Sequence, residues 1–279
     1  MAGCQVFSPE SRWGPKYQGS GLSTQDSKEL EDPLALLWAI VGLIVGPFLN
    51  LAVYRLPRLE RLTAPLECPR CRTRRPLYAQ SRVIASLLGD RGNCRGCGAR
   101  PARMDVAVEL AAGIAFWLLF LRFGAGPRLL LYSLYTCFLI VVFLIDWQHR
   151  LILNRVTYPG IVLAAFLTSV VTPIGWGMTL AGVVLAGLLF GGLYLLGHLL
   201  FHQEALGLGD VKLSMLLGAM AGFPAVVWWL LLGSLFGAVG GLAMVAARRN
   251  SLRSFMPYGT AMCLGAFVAF FIDPTVVLL

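Results

Sequence analysis

The sequence predicts an all-α polytopic membrane protein with about eight transmembrane helices. The chain has 279 residues, of which 57% are hydrophobic and only 13% are charged. A soluble globular domain carries about 25% charged residues, so this composition excludes an ordinary soluble protein. Mainly apolar runs of roughly 20 residues, the length that a helix needs to cross a bilayer, also recur along most of the chain.

The apolar runs give the order of the predicted elements. We expect transmembrane helices near residues 34–54, 106–122, 129–146, 155–172, 178–201, 211–223, 224–247 and 258–278. The sixth run is short, and the segment from Gly222 to Pro224 is either a tight turn or a break within a helix. Six or seven spans is therefore the alternative count. Residues 1–33 are polar, with scattered Gly, Ser and Pro, and predict a disordered tail without a cleavable signal peptide.

Basic residues predict the orientation of the helices. Twelve of the 23 Lys and Arg residues lie in the loop at 55–105. Because cytoplasmic loops carry an excess of Lys and Arg, we place this loop in the cytoplasm. The net charge of +9 is then mainly a topology signal. We expect no nucleic-acid partner, since the basic loop lacks an aromatic-interleaved binding pattern.

The loop at 55–105 is long enough to form a separate domain, and it contains two Cys-x-x-Cys pairs. The pairs are Cys68 with Cys71 and Cys94 with Cys97. Four thiolates at this spacing fit a tetrahedral zinc site, and a metal would stabilise a loop that has little apolar content. Two disulfides are the alternative, which a reducing cytoplasm disfavours. We therefore predict a cytoplasmic zinc-binding loop between the first two transmembrane helices.

Two acidic residues stand where apolar runs end or begin. Asp146 closes the run that starts at Cys137, and Asp210 ends the turn Gly207-Leu-Gly-Asp210 before the next apolar stretch. Carboxylates at membrane depth are costly and mark functional sites. Two facing carboxyl groups can share a proton and activate water for peptide hydrolysis. We therefore predict that Asp146 and Asp210 form a catalytic pair.

Each aspartate also has a structural explanation. Asp146 could pair with His149 or Arg150 at the membrane boundary, although the C-terminal end of a helix disfavours an anion. Asp210 could be the N-cap of the helix that follows it. If both are catalytic, the helix dipoles make Asp210 the ionised base and Asp146 the protonated acid.

Neighbours of the two aspartates are candidates for supporting roles. Gly207 and Gly209 allow backbone conformations and a close approach that larger residues would block, which suits an extended substrate beside the turn. Lys212 either binds a lipid headgroup or tunes the site, and we favour the headgroup. Glu109 is a third interior acid near the same predicted boundary. We expect no functional role for the remaining candidates, which are Cys4, Cys137, Cys263, Asp273, His149, His198 and His202.

The ordered set of motifs resembles the type IV prepilin peptidases. The motifs are Gly46-Pro-Phe-Leu-Asn50 with Tyr54-Arg-Leu-Pro57, the two cysteine pairs, Gly207-Leu-Gly-Asp-Val-Lys-Leu213 and Met256-Pro-Tyr-Gly259. The resemblance covers the chain from about residue 40 to the end. It implies that residues 106–279 form a transmembrane aspartic peptidase domain with Asp146 and Asp210 as catalytic residues. It also implies zinc at the four cysteines.

The resemblance further implies a multi-pass enzyme of the bacterial inner membrane with its active site facing the cytoplasm. Such enzymes cut the short basic leader from prepilins and pseudopilins, typically after Gly and before Phe. Many also methylate the new N-terminal amine with S-adenosylmethionine. The sequence has no recognisable Gly-rich nucleotide loop, so the residues that bind this cofactor are unknown.

The chain departs from the family pattern at two places. The family usually continues from the first aspartate to Leu-Pro-Asp, where this chain has Ile152-Leu-Asn154, and usually has Gly-Ser where this chain has Gly46-Pro47. Two other protein classes are alternatives. One is a proton-coupled transporter, since intramembrane acids also mark ion pathways, although carriers usually place them at mid-membrane depth. The other is a zinc-bearing membrane scaffold in which both acids are caps.

Overall fold

Helices account for all the regular structure that the computed structural model describes, which covers residues 24–61, 68, 71, 73, 93–94, 96–98, 103–201, 207–246 and 258–272. The eight helices in these ranges are α1 (Thr24–Arg55), α2 (Arg103–Phe123), α3 (Pro127–His149), α4 (Asn154–Val171), α5 (Gly175–Phe201), α6 (Leu208–Ala221), α7 (Ala225–Ala246) and α8 (Tyr258–Ile272). Six of them, α1 to α5 and α7, are long and apolar enough to cross a membrane. The protein is therefore a multi-pass membrane protein, as the sequence predicts.

Helix α1 corrects the predicted end of the N-terminal tail. It begins at Thr24, so the predicted disordered segment ends inside a helix. The residues ahead of Pro33 include Lys, Glu and Leu, which have high helix propensity, and a helix can continue beyond the apolar core into water. The apolar part, Pro33–Arg55, agrees with the predicted span at 34–54. Residues 1–23 lie outside the described residues.

Helix α6 is short and lies among other helices. Its 14 residues extend about 21 Å, and its second half, from Leu216 to Ala221, is buried. Helices α4, α5, α7 and α8 all pack against it, so protein rather than lipid surrounds most of its surface. A turn at Gly222, which has a positive φ of 68°, separates α6 from α7, which favours the predicted tight turn over a break within one helix.

Small residues bring neighbouring helices into close contact. An ideal Cβ on Gly42 of α1 would lie 2.6 Å from the carbonyl oxygen of Ala112 in α2. One on Gly182 of α5 would lie 2.7 Å from the carbonyl oxygen of Gly218 in α6. No side chain fits at either position, which agrees with the general use of small residues at membrane helix interfaces.

A buried polar chain connects α3, α4 and α6. The Tyr135 hydroxyl oxygen of α3 lies 2.6 Å from Oγ1 of Thr168 in α4. Thr168 Oγ1 in turn donates to the carbonyl oxygen of Ala219 in α6 at 2.8 Å. Satisfied polar contacts of this kind fix the relative positions of helices. Because α3 carries Asp146 and α6 carries Asp210, the chain also holds the two aspartate-bearing helices in register.

Candidate active site

Asp146 lies in the last turn of α3, where its carboxylate rests on the first turn of α8. Only 5% of the residue is exposed. The backbone N–H of Thr260 donates to Asp146 Oδ2 at 2.8 Å, and an ideal Cβ on Gly259 would lie 2.8 Å from the same oxygen. The first N–H groups of a helix have no partner within the helix. The start of α8 therefore supplies a donor that fixes one oxygen of Asp146.

Asp210 is the third residue of α6. Its backbone N–H donates to the carbonyl oxygen of Gly207 at 3.0 Å, and its Oδ2 accepts the backbone N–H of Gly207 at 3.3 Å. The N-cap is therefore Gly207, and the alternative that Asp210 is the N-cap is wrong. Asp210 lies inside the first turn and reaches back to the cap residue, as the acidic residue of a capping box does.

The two carboxyl groups lie at one site. They are close enough for the charge of Asp146 to act on Asp210. The thiol of Cys263, a buried residue of α8, lies close enough to both carboxylates to feel their charges. The Tyr258 hydroxyl lies close enough to feel the charge of Asp210. That hydroxyl oxygen lies 2.9 Å from Oγ of Ser234 in α7. The ends of α3, α6 and α8 thus converge around the two predicted residues.

The contact with α8 removes the basis for predicting which aspartate carries the proton. In the sequence, Asp146 is at a helix C-terminus and Asp210 is at a helix N-terminus, so the helix dipoles favour the ionised form of Asp210. The structure places the Asp146 carboxylate against the N-terminal turn of α8, through Thr260. Both carboxylates therefore have a helix N-terminus beside them, and the dipole argument no longer distinguishes the base from the acid.

Ile152 contacts both Gly209, which precedes Asp210, and Gly259, which packs against Asp146. An ideal Cβ on Gly209 would lie 3.0 Å from Cβ of Ile152, and one on Gly259 would lie 3.2 Å from Cδ1 of the same residue. The close approach predicted at Gly209 is therefore made by Ile152, which occupies that face. Gly207 has φ of −77° and ψ of 143°, an extended conformation open to any residue, so the predicted need for glycine's backbone freedom there is wrong.

Lys212 bridges two helix starts. Its Nζ donates to Oδ1 of Asn154, the first residue of α4, at 2.8 Å, and it also lies 5.4 Å from the ring centre of Tyr158. The ammonium therefore has one partner within the protein, which leaves two of its three donors available, and its assignment to a lipid headgroup stays a prediction. Asn154, at which the chain departs from the family pattern, is thus the acceptor of this bond.

The four loop cysteines form a compact cluster. Their sulfur atoms all lie within 4.8 Å of one another, with Cys68 Sγ 3.6 Å from Cys97 Sγ and Cys71 Sγ 3.5 Å from Cys94 Sγ. Four ligands at about 2.3 Å from one zinc ion are about 3.8 Å apart in a tetrahedron, so these positions fit zinc. All four are free thiols, unlike the disulfide alternative. Hydrogen bonds from the side chain and backbone of Thr73 lower the pKa of Cys71 to about 6, which favours the thiolate that a metal requires.

The other polar candidates lie in different surroundings. Glu109 is completely buried between α1 and α2, where an ideal Cβ on Gly46 would lie 2.7 Å from its Cα. His149 and His198 are exposed. The candidates outside the described residues are Cys4, His202 and Asp273.

Three parts of the site escaped sequence reasoning. They are the Thr260 N–H, the packing of Gly259 against Asp146, and the position of Ile152. By sequence, the segment Met256-Pro-Tyr-Gly259 indicates only the family resemblance. A glycine two residues after a proline at the start of an apolar run is the signal that could have indicated a close backbone contact there.

Comparison with known proteins identifies the family of this chain. Residues 133–242 match the profile of the "Type IV leader peptidase family", and residues 40–123 match the "Bacterial Peptidase A24 N-terminal domain". A "Prepilin leader peptidase/N-methyltransferase" from Bacillus subtilis (strain 168) is 30% identical over 242 residues, which cover 85% of this chain and 94% of that relative. The chain belongs to the type IV leader peptidase family.

Relatives of the same name in other bacteria agree with this assignment. The relative from Pseudomonas putida is 29% identical over 256 residues, which cover 84% of this chain and 88% of that protein. The one from Myxococcus xanthus (strain DK1622) is 33% identical over 218 residues, which cover 76% of this chain and 64% of that protein. No solved structure matches the chain. Membership of the leader peptidase family leaves the transporter alternative without support.

Proposed function

We propose that this protein is a membrane-embedded aspartic endopeptidase that removes the leader peptide of type IV prepilins or pseudopilins. The observation that carries the proposal is that Asp146, at the end of α3, and Asp210, at the start of α6, lie within electrostatic range of each other in a member of the leader peptidase family. Relatives that share most of the chain are named prepilin leader peptidases. The family assignment supplies the reaction, and the two carboxyl groups supply the means to perform it.

The two carboxyl groups divide the proton transfers of peptide hydrolysis. With one proton shared between them, the ionised group takes a proton from water as the oxygen attacks the scissile carbonyl carbon. The protonated group then gives its proton to the departing amine as the C–N bond breaks. Backbone donors hold both groups for this task, Thr260 N–H on Asp146 and Gly207 N–H on Asp210.

The site would face the cytoplasm in a bacterial inner membrane. The loop at 55–105 joins α1 to α2 and contains twelve of the 23 basic residues, which the positive-inside rule places in the cytoplasm. With eight spans, the ends of α3, α6 and α8 that form the site lie on that same side. A substrate would leave its basic leader in the cytoplasm and its apolar helix in the bilayer.

Two further groups belong to this proposal. Cys68, Cys71, Cys94 and Cys97 would hold a structural zinc ion, which would fold the cytoplasmic loop. The relatives' printed name includes N-methyltransferase, and S-adenosylmethionine would supply the methyl group for the amine that cleavage releases. No group of described residues identifies a site for this cofactor, so we derive no step through it.

Cleavage by the purified protein tests the proposal. The substrate carries a basic leader, Gly before and Phe after the cleavage site, and an apolar helix. Mass spectrometry of the products should show one new N-terminus at Phe. The control is the double variant Asp146→Asn with Asp210→Asn, which should release none. A wild-type protein that is inserted in lipid but leaves several such substrates intact would contradict the proposal.

A further inference from the structure

An apolar cavity of about 390 Å³ lies between α2, α3 and α8. Helices α2 and α8 both pack on α3, but within the described residues they make few contacts with each other. The cavity occupies the gap between them. Its floor is α3 from Thr136 to Leu144, and its walls are α2 from Met104 to Ala115 and α8 from Cys263 to Phe267.

The cavity begins at the level of the two aspartates. Leu144 on its floor precedes Asp146 by two residues, and Cys263 on its wall is within electrostatic range of both carboxylates. Met104, at the same end, is in the first turn of α2. From Met104 to Ala115 the wall extends about 16 Å along the helix axis, which is roughly half of the hydrocarbon thickness.

The lining can accept only an apolar occupant. Nearly all of it is hydrocarbon, and the one hydroxyl on its floor, Thr136 Oγ1, already donates to the carbonyl oxygen of Tyr132 at 2.8 Å. The cavity also lies at a junction, since α2 is in the segment that matches the family's N-terminal domain and α3 is in the peptidase segment. Ligand sites are common at such boundaries between domains.

We infer that this cavity, which is smaller than a whole helix, receives the side chains on one face of the substrate's apolar helix as that helix lies against it in the bilayer. The inference rests on the proposed function, in which the bond to be cut lies at the cytoplasmic end of an apolar helix. A helix seated between α2 and α8 would present that end to Asp146 and Asp210. A lipid chain would also fit the apolar walls, but it gives no reason for a cavity that starts at the depth of the two carboxylates.

Filling the cavity tests the inference. Ala111 lines it and is exposed, so Ala111→Trp places an indole in the gap without disturbing a buried contact. The matched control is Ile114→Trp, on the same helix at a residue that is 57% exposed and does not line the cavity. Two substrates are compared, one with the complete apolar helix and one that ends six residues after the cleavage site.

The measured quantity is the ratio of kcat/KM for the complete substrate to kcat/KM for the shortened one. We expect this ratio to fall at least tenfold in Ala111→Trp, mainly through KM, and to stay at the wild-type value in Ile114→Trp. An unchanged ratio in Ala111→Trp would overturn the inference. Failure of the wild-type protein to cleave either substrate would instead contradict the proposed function.

Photocrosslinking provides an independent readout that needs no turnover. p-Benzoylphenylalanine is placed at Ala107, which lines the cavity, or at Ile114, in protein that also carries Asp210→Asn so that the substrate stays intact. The probe at Ala107 should crosslink to the apolar helix of the substrate, and the probe at Ile114 should react with lipid. Crosslinks from Ala107 to lipid alone, with saturating substrate present, would show that the cavity is a lipid site and would refute the inference.

Discussion

Replacing Gly259 by alanine should disturb the site without unfolding the protein. The new Cβ would lie 2.8 Å from Asp146 Oδ2, whereas ordinary van der Waals contact starts at about 3.4 Å, so the carboxylate must move by roughly 0.6 Å. Ile152 Cδ1, at 3.2 Å from the same Cβ, limits other adjustments. Misplacing a reacting group by about 1 Å can cost 10²-fold, so we expect kcat to fall by about tenfold or more.

The assay is steady-state cleavage of a prepilin by purified protein in lipid. Alanine has a higher helix propensity than glycine by about 1 kcal/mol, so a loss of activity would not follow from a weaker α8. Gly192→Ala in α5 is the matched control, because an ideal Cβ there meets nothing within 4 Å, and it should keep the wild-type rate. Wild-type kcat in Gly259→Ala would refute the argument that the backbone of α8 positions Asp146.

The remaining predictions concern the bond between Lys212 and Asn154 and the cluster of four loop cysteines. Lys212→Met removes the exposed 2.8 Å bond to Asn154 and should lower kcat at most about fivefold, which corresponds to about 1 kcal/mol for one hydrogen bond. Asn154→Asp keeps an acceptor and should retain most of the rate. Equal rates for Lys212→Met and wild type would contradict a role of this bond in positioning the start of α6. Cys68→Ser combined with Cys94→Ser should abolish zinc binding, measured by metal analysis of the purified protein, while Cys137→Ser should keep one zinc per chain. Wild-type protein that contains no zinc and four freely titratable thiols would show that the cluster is not a metal site.

Patterns along the chain were sufficient to predict most of the architecture. Apolar runs of membrane-spanning length identify helices directly, because each must bury its own backbone polar groups. Asp146 and Asp210 stood out for the same reason, since an acid beside such a run is costly. The start of α1 was missed because apolar content marks where a helix enters the membrane, whereas Thr24 lies in a polar segment that helix propensity alone extends.

Contacts between distant residues could not be predicted from the sequence. The Thr260 bond to Asp146 joins residues 114 positions apart, and it removes the electrostatic difference that the two helix ends suggest. Lys212 and Asn154 are 58 positions apart, so no local pattern indicates that they are in contact. Periodicity and capping rules describe a helix by itself, whereas both contacts depend on how helices pack.

The most direct test of the proposed carboxyl pair is single-turnover cleavage of a prepilin by Asp146→Asn and by Asp210→Asn. Each variant is purified, inserted in lipid and compared with wild-type protein. Each substitution removes one of the two carboxyl groups, and loss of a general acid or base typically costs about 10²–10⁴-fold. We expect losses of this size in both variants, with unchanged elution from a sizing column and unchanged zinc content. Cleavage by either variant at close to the wild-type rate would contradict the claim that Asp146 and Asp210 act as a pair.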